Sequence, residues 1–154
     1  MSTSAFTGEP ASELERLIAD LPRSGLQAFI FGGGCWVAHL AGVTTHLFRG
    51  PADQRWWHFE VGDDAARCNM DVRVDEITGV RFGRGPYPFP GREILGVDFL
   101  GPDGEDSLGC WVPDLYDGER MRPERLQAWQ ALRERYGNRD ESRVDRGRLL
   151  PPAA

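Results

Sequence analysis

The chain has 154 residues, with 24 acidic and 18 basic side chains and a formal net charge of −6. This is the length of one ordinary domain, and it is long enough to bury a hydrophobic core without disulfide or metal staples. A net negative charge argues against a nucleic-acid partner, because proteins bind that polyanion through clustered basic side chains. Every basic residue is an arginine, which excludes chemistry that depends on a Schiff-base lysine or a P-loop lysine.

The N-terminal segment and the cysteines indicate the compartment. The first 25 residues contain acids and prolines in place of the basic start and apolar stretch of a signal peptide, and the apolar runs are only strand-sized. Cys35, Cys68 and Cys110 are an odd number of widely spaced cysteines, which suits reduced thiols better than a disulfide framework. We therefore predict a cytoplasmic protein without a membrane partner.

The predicted elements begin with a helix. Residues 1–9 are predicted to be a disordered lead-in, and Ser12 and Glu15 then form an S-x-x-E capping box that starts an amphipathic helix. Pro22 ends this helix, and the hydrophobic period changes to that of strands. Eight segments are predicted to be strands, namely QAFIF, CWVAHLA, TTHLF, RWWHFEV, CNMDVRV, TGVRF, EILGVDFL and LGCWV.

A second helix is predicted from Pro123, with one apolar face that should pack on the sheet. Residues 138–154 are charged and then proline-rich, so we predict a flexible tail there. The short strands and close connections favour an antiparallel meander. The prediction is an α+β fold in which residues 10–137 form a single domain, with about eight antiparallel strands between an N-terminal and a C-terminal helix.

Strand alternation assigns side chains to faces, because successive residues point to opposite sides of a strand. In CWVAHLA this places Val37 and His39 on one nearly apolar face, together with Cys35. In CNMDVRV it places Met70 and Val72 inward, and Asp71 and Arg73 outward. His39 is the one strongly polar side chain on its face.

Several motifs follow one another in a characteristic order. After FIFGGGCWVAHLAG (29–42) come HLFRG (46–50), the aromatic strand RWWHFEV and the strand CNMDVRV with its arginine. Farther along are PFPG (88–91), VDFLGPDG (97–104) and a helix with glutamine and tryptophan (126–132). Over about residues 34–136 this order resembles the HemS/ChuX family of haem-utilisation proteins in its single-repeat form.

The resemblance implies a curved antiparallel sheet with helices at one side, haem b at the face of the sheet, and pairing of two chains into a homodimer. Members of that family carry haem to other proteins or take part in releasing its iron. This chain departs from the family pattern at Asn69 and Asp71, where histidines are usual, and at Cys110, near a usual lysine. The ligand set of the family is therefore not transferred as a whole.

The candidate iron ligands are few, because imidazole, thiolate, thioether and phenolate are the usual axial groups. His39 is the preferred ligand, with a hydrogen-bonded core histidine as the alternative. His46 and His58 are secondary candidates, for which a solvent-facing or hydrogen-bonded role is the alternative. Cys35 is a further secondary candidate, although a cysteine in a strand is usually a small apolar residue.

Arginines are the natural partners of the two haem propionates, because guanidinium binds carboxylate in a bidentate way. The candidates are Arg73, Arg81 and Arg84, with ordinary surface charge as the alternative. The candidates for residues that pack against the macrocycle are Phe82, Tyr87, Phe89 and Val37. The alternative for the three aromatic residues is that they hold their proline-rich loop against the sheet.

The resemblance thus implies a haem-binding protein of intracellular haem utilisation, acting as a haem carrier or in the release of haem iron. One alternative is a haem-dependent enzyme that converts a small metabolite on the same scaffold. A second alternative is a haem-free dimeric binding module. The fold alone does not separate these functions, because function depends on the site.

Overall fold

The computed structural model describes residues 10–26, 28–33, 36–40, 44–62, 67–86 and 92–153. They contain two helices, α1 (Glu13–Asp20) and α2 (Pro123–Arg135), and three 3-10 turns at Pro22–Ser24, Pro51–Asp53 and Val74–Glu76. The strands are β1 (Ala28–Gly33), β2 (Trp36–Leu40), β3 (Thr44–Arg49), β4 (Arg55–Gly62), β5 (Arg67–Arg73), β6 (Gly79–Pro86), β7 (Glu93–Leu100), β8 (Asp106–Trp111), β9 (Tyr116–Asp117), β10 (Arg120–Met121), β11 (Glu141–Asp145) and β12 (Arg148–Leu150). The predicted α+β class is confirmed.

The strands form three antiparallel sheets. The largest has the order β12-β11-β6-β7-β8-β1-β2, a second has the order β3-β4-β5, and β9 pairs with β10. All eight predicted strands are present as β1 to β8, but the prediction that they form one sheet is wrong. The β3-β4-β5 hairpins form a sheet of their own, because their large apolar side chains pack against the face of the seven-stranded sheet.

The contact between the two larger sheets is aromatic. Trp57 and Phe59 of β4 are fully buried, and both rings meet Phe29 of β1 edge to face, with centroids 5.8 and 4.9 Å apart. Trp57 also meets Phe99 of β7 at 5.1 Å. Such edge-to-face pairs add directional attraction to the burial of apolar area, and they define which side of β4 faces the core.

Helix α1 begins at the predicted capping box. The Glu15 backbone N–H donates to Ser12 Oγ (3.2 Å), and the Glu15 carboxylate accepts from the Ala11 N–H (2.6 Å). The same carboxylate, only 2 % exposed, forms a bidentate ion pair with Arg55 of β4 at 2.5 and 2.8 Å. Glu15 therefore caps the helix and also joins it to the three-stranded sheet.

Helix α2 packs on the seven-stranded sheet as predicted. Trp129 and Leu132 are buried, and Trp129 Nε1 donates to the Gly96 carbonyl of β7 at 3.0 Å. The Trp129 ring lies edge to face with Phe82 of β6, with centroids 6.2 Å apart. Among the described residues no helix is long and apolar enough to cross a membrane.

The prediction of a flexible tail at residues 138–154 is wrong over most of its length. β11 pairs with β6, and β12 completes a hairpin at the edge of the large sheet. Leu149 is 5 % exposed, and its N–H donates to the Glu13 carboxylate of α1 at 2.9 Å. A few buried side chains and the backbone pairing with β6 are enough to order a segment whose composition is mostly polar.

The two helices meet at Asp20, the last residue of α1. Its carboxylate accepts from the Tyr136 hydroxyl (2.6 Å) and from Arg135 (2.9 Å). Burial by itself raises the pKa of Asp20, but the hydrogen bonds from Tyr136 and Arg135 and the positive charges of Arg135 and Arg23 together lower it by more, so the net pKa lies below its usual value. Burial and the bond to Asp20 together raise the pKa of Tyr136.

We expect Arg55→Ala to lower the free energy of unfolding by about 3–5 kcal/mol, because it leaves the buried Glu15 carboxylate without its guanidinium partner. Arg84→Ala is the matched control, since its pair with Glu93 is 44 % and 52 % exposed, and such surface pairs contribute about 0–1 kcal/mol. Urea unfolding followed by tryptophan fluorescence measures both. Equal losses in the two variants would contradict a structural role for the buried pair.

We expect the stabilising effect of Asp20 to depend on pH. Its folded pKa is lowered, so its contribution is fully present above the unfolded value of about 3.9 and is lost as pH falls through the folded pKa. The difference in unfolding free energy between the wild type and Asp20→Asn should be constant near neutral pH and should shrink in acid. A difference that stays constant down to the acid unfolding transition would contradict this assignment.

Candidate functional site

The side of the three-stranded sheet that faces away from the core carries polar and aromatic side chains in cross-strand rows. One row is His46, His58 and Asp71, and the next is Phe48, Trp56 and Arg73. We call these six residues the outer face. Because strand side chains alternate with a period of two, the burial of Trp57 and Phe59 on one side of β4 places Trp56 and His58 on the other.

His58 is held by Asp71. Its Nδ1 lies 2.6 Å from Asp71 Oδ1, and the two side chains are 16 % and 44 % exposed. An ionised carboxylate only accepts hydrogen bonds, so it favours the tautomer in which Nδ1 carries the proton. The Nε2 of a neutral His58 is then left with a lone pair, which is the arrangement of a metal-ligating or proton-accepting histidine.

His46 lies directly opposite His58 across the β3–β4 pair. The two ring centroids are 4.8 Å apart, and the ring planes are inclined by 47°. Two of the three histidines in the chain are therefore in contact, with Asp71 on the other side of His58. The hydrogen bond from His58 to Asp71 agrees with the alternative of a solvent-facing or hydrogen-bonded role, and the prediction of His58 as an iron ligand stays a prediction.

The second row supplies aromatic surface and a positive charge. Phe48 and Trp56 stack nearly parallel, with centroids 6.3 Å apart, and the Arg73 guanidinium lies 5.7 Å from the Trp56 ring. Arg73 pairs with Glu76 at 3.1 Å, yet its buried Nε has no hydrogen-bond partner. A buried N–H donor in this state is unusual in a folded protein, and the Arg73 side chain as a whole is 34 % exposed.

The predicted propionate partners are not gathered in one place. Arg73 lies on β5, whereas Arg81 and Arg84 lie on β6, where they pair with Glu141 (2.9 Å) and Glu93 (2.8 Å). Both β6 arginines border a cavity of about 1030 Å³ next to α2. Phe82 is only 5 % exposed and packs against Trp129, so most of its ring belongs to the core.

His39 and Val37 lie in β2, and the backbone of His39 pairs with that of Ile30; the structure does not describe their side chains. Cys35, Tyr87 and Phe89 lie outside the described residues. Their predicted roles stay predictions.

Cys110 is the only cysteine whose side chain is described. It is 1 % exposed, and burial, reinforced by the charge of Asp98, raises its pKa well above the usual range. A thiol that stays protonated is a poor metal ligand. Within the residues for which side chains are described, no group of three or more His, Cys, Asp or Glu is arranged around a possible metal ion.

The side of the seven-stranded sheet opposite the core forms a shallow groove of about 250 Å³. Gly83 and Gly96 pair across β6 and β7 in this groove. Two predicted propionate partners, Arg81 and Arg84, also line it, together with Asp98, Ile94 and Trp111. It contains no described imidazole. The outer face of the three-stranded sheet has two described imidazoles, those of His46 and His58. It therefore offers candidate iron ligands that the groove lacks.

No protein-family model matches the chain, and no curated protein matches it. The assignment of a function therefore depends on the geometry of the outer face.

The bond between Asp71 and His58 was not predicted from the sequence. Alternation assigned Asp71 and its neighbours to the two faces of β5, and that assignment agrees with the structure for Met70, Val72 and Asp71. The pairing across strands requires the register of β4 on β5. A signal was present, since a hairpin that pairs the apolar Trp57 with Val72 also pairs His58 with Asp71.

Proposed function

We propose that this chain is a haem-binding protein of haem utilisation, and that it holds haem b on the outer face with His58 as an axial ligand. The observation that carries the proposal is the 2.6 Å contact between His58 Nδ1 and Asp71 Oδ1. Histidines that ligate metals almost always donate their other ring N–H to a carboxylate, a carbonyl or water, which orients the ring and raises its basicity. Bound haem would supply an iron centre whose ligand field depends on that imidazole.

Two further features fit the macrocycle. The stacked Phe48 and Trp56 rings offer apolar surface beside the histidines, and the Arg73 guanidinium, whose side chain is 34 % exposed, offers N–H donors for a propionate. A charge-assisted hydrogen bond between guanidinium and carboxylate is stronger than a neutral one. The outer face therefore has candidates for iron ligation, ring packing and propionate binding within neighbouring rows.

This proposal explains why the chain departs from the family pattern at Asp71. Asp71 stands where a histidine is usual in the family that the sequence resembles, and here its carboxylate orients His58 across the strand pair. His39, the ligand preferred from the sequence, is kept as the competing ligand. Homodimerisation also stays a prediction.

A haem-dependent enzyme is a second candidate function, and the position of His46 favours it. Its ring centroid lies 4.8 Å from that of His58, so a second imidazole stands beside the proposed ligand. Histidine is the most frequent group for proton transfer near neutral pH. A carrier returns its haem intact to an acceptor such as apomyoglobin, whereas an enzyme keeps its haem while a small molecule is converted.

The test is a titration of the purified chain with haemin. We expect a saturable shift of the Soret band at one haem per chain. His58→Ala should change the spectrum, because the iron loses its axial imidazole. Arg73→Ala should weaken binding by about 10- to 100-fold with the spectrum unchanged, in line with about 1.5–3 kcal/mol for a hydrogen bond to a charged group.

Three controls make the result specific. Arg84→Ala removes an arginine that is remote from the outer face and should leave the affinity unchanged, and His46→Ala should keep the wild-type spectrum. His39→Ala tests the competing ligand. A changed spectrum in His39→Ala, with none in His58→Ala, would move the site to β2, and the absence of any saturable shift in the wild type would exclude haem.

A further inference from the structure

We propose that His46 and His58 together form a site for a bare divalent transition-metal ion such as Zn²⁺, which both imidazoles bind in the absence of haem. This goes beyond the haem proposal, because it needs no macrocycle and uses a second imidazole. The site would lie between β3 and β4, in the row of the outer face that contains Asp71.

The separation of the two rings fits one shared ion. With metal–nitrogen bonds of about 2.0–2.1 Å, each imidazole centroid lies about 3.2 Å from the metal, so two centroids are about 4.5 Å apart at a 90° angle and about 5.2 Å apart at the tetrahedral angle. The His46 and His58 centroids are 4.8 Å apart, which lies between these values. The 47° inclination of the rings shows that they are not stacked face to face.

The hydrogen bond to Asp71 prepares His58 for such an ion. Because Asp71 Oδ1 lies at Nδ1, the lone pair of a neutral His58 is at Nε2, and the carboxylate is the outer-shell partner that metal-binding histidines usually have. His46 needs no such partner to ligate, since neutral imidazole binds through either nitrogen. Asp71 thus has the role of a positioning residue that acts through His58.

The ligand type indicates the class of metal. Imidazole suits Zn²⁺, Cu²⁺, Ni²⁺ and Fe²⁺, whereas Mg²⁺ and Ca²⁺ prefer carboxylate, carbonyl and water oxygens. Two imidazoles leave at least two positions of a tetrahedral ion for water or a small ligand. A site with two protein ligands and open positions is suited to an exchangeable ion, not to one that stabilises the fold permanently.

Haem and a bare ion would use a different number of the two histidines as ligands. Both side chains belong to the same face of one sheet, so only one of them can ligate the iron of a haem that lies over this face. A bare ion has no macrocycle and can take both. His46→Ala therefore separates the two proposals, because it should abolish ion binding and leave haem binding intact.

The experiment is a calorimetric titration of the untagged, haem-free full chain with ZnCl₂, and a parallel titration with CoCl₂ followed by its visible spectrum. We expect one ion per chain and a cobalt spectrum with nitrogen ligation. His46→Ala and His58→Ala should each weaken binding by more than the about 10- to 100-fold that loss of an outer-shell partner causes, and Asp71→Asn should fall within that range. MgCl₂ should produce no binding heat at this site.

His39→Ala is the matched control, because it removes the third histidine of the chain and lies outside the pair; its affinity for Zn²⁺ should equal that of the wild type. His46→Gln and His58→Gln serve in place of any alanine variant whose circular dichroism shows unfolding. Wild-type affinity in the folded His46 and His58 variants, or loss of affinity in His39→Ala, would overturn the proposal. A chain that binds Zn²⁺ through both histidines but not haemin would contradict the haem proposal alone.

Discussion

Trp57 and Phe59 hold the three-stranded sheet against the seven-stranded sheet, and most of the outer face follows from this contact. Both side chains are fully buried against Phe29, and Trp57 also contacts Phe99. Each aromatic side chain contributes a large buried area, and the edge-to-face geometry limits how the sheets can be rotated against each other. A shift of β4 by one residue would move every side chain to the opposite face. The core contact therefore also determines that His58 points away from it.

β4 also forms side-chain contacts with helix α1 and with strand β5. At its start Arg55 pairs with Glu15, which attaches α1 to the sheet, and its middle residue His58 pairs with Asp71 of β5. A carboxylate as deeply buried as that of Glu15 requires a partner, because an unpaired buried charge is strongly destabilising. The same strand thus carries part of the core, the attachment of a helix and the central residue of the proposed site. A rigid strand suits such a site, because a ligand must be held in a fixed orientation.

The proposed site differs from the one predicted from the sequence. The sequence patterns do not show which residues of neighbouring strands lie opposite each other. Alternation correctly placed Asp71 outward and Met70 inward on β5. It gave no information about which residue of β5 lies beside His58, and the preference for His39 depended on the apolar character of its own strand. Arg73, Arg81 and Arg84 were grouped by residue type, yet they belong to two different sheets. These arginines are close in sequence, but they lie in different sheets. β5 belongs to the three-stranded sheet and β6 to the seven-stranded sheet, and the 3-10 turn Val74–Glu76 lies between the two strands.

Short stretches of sequence specify the local elements: the capping box at Ser12 and Glu15, the eight strands from β1 to β8, and the apolar face of α2. These elements depend on capping groups and on hydrophobic periods of 2 and 3.6 residues, which are visible within a few neighbouring residues. Three other features arise only when the chain folds, namely the division into three sheets, the ordering of the C-terminal hairpin, and the meeting of His46, His58 and Asp71. Each of these depends on contacts between segments distant in sequence. Leu149 is ordered by packing and by a bond to α1, and His58 acquires its partner only when β4 and β5 pair in one register.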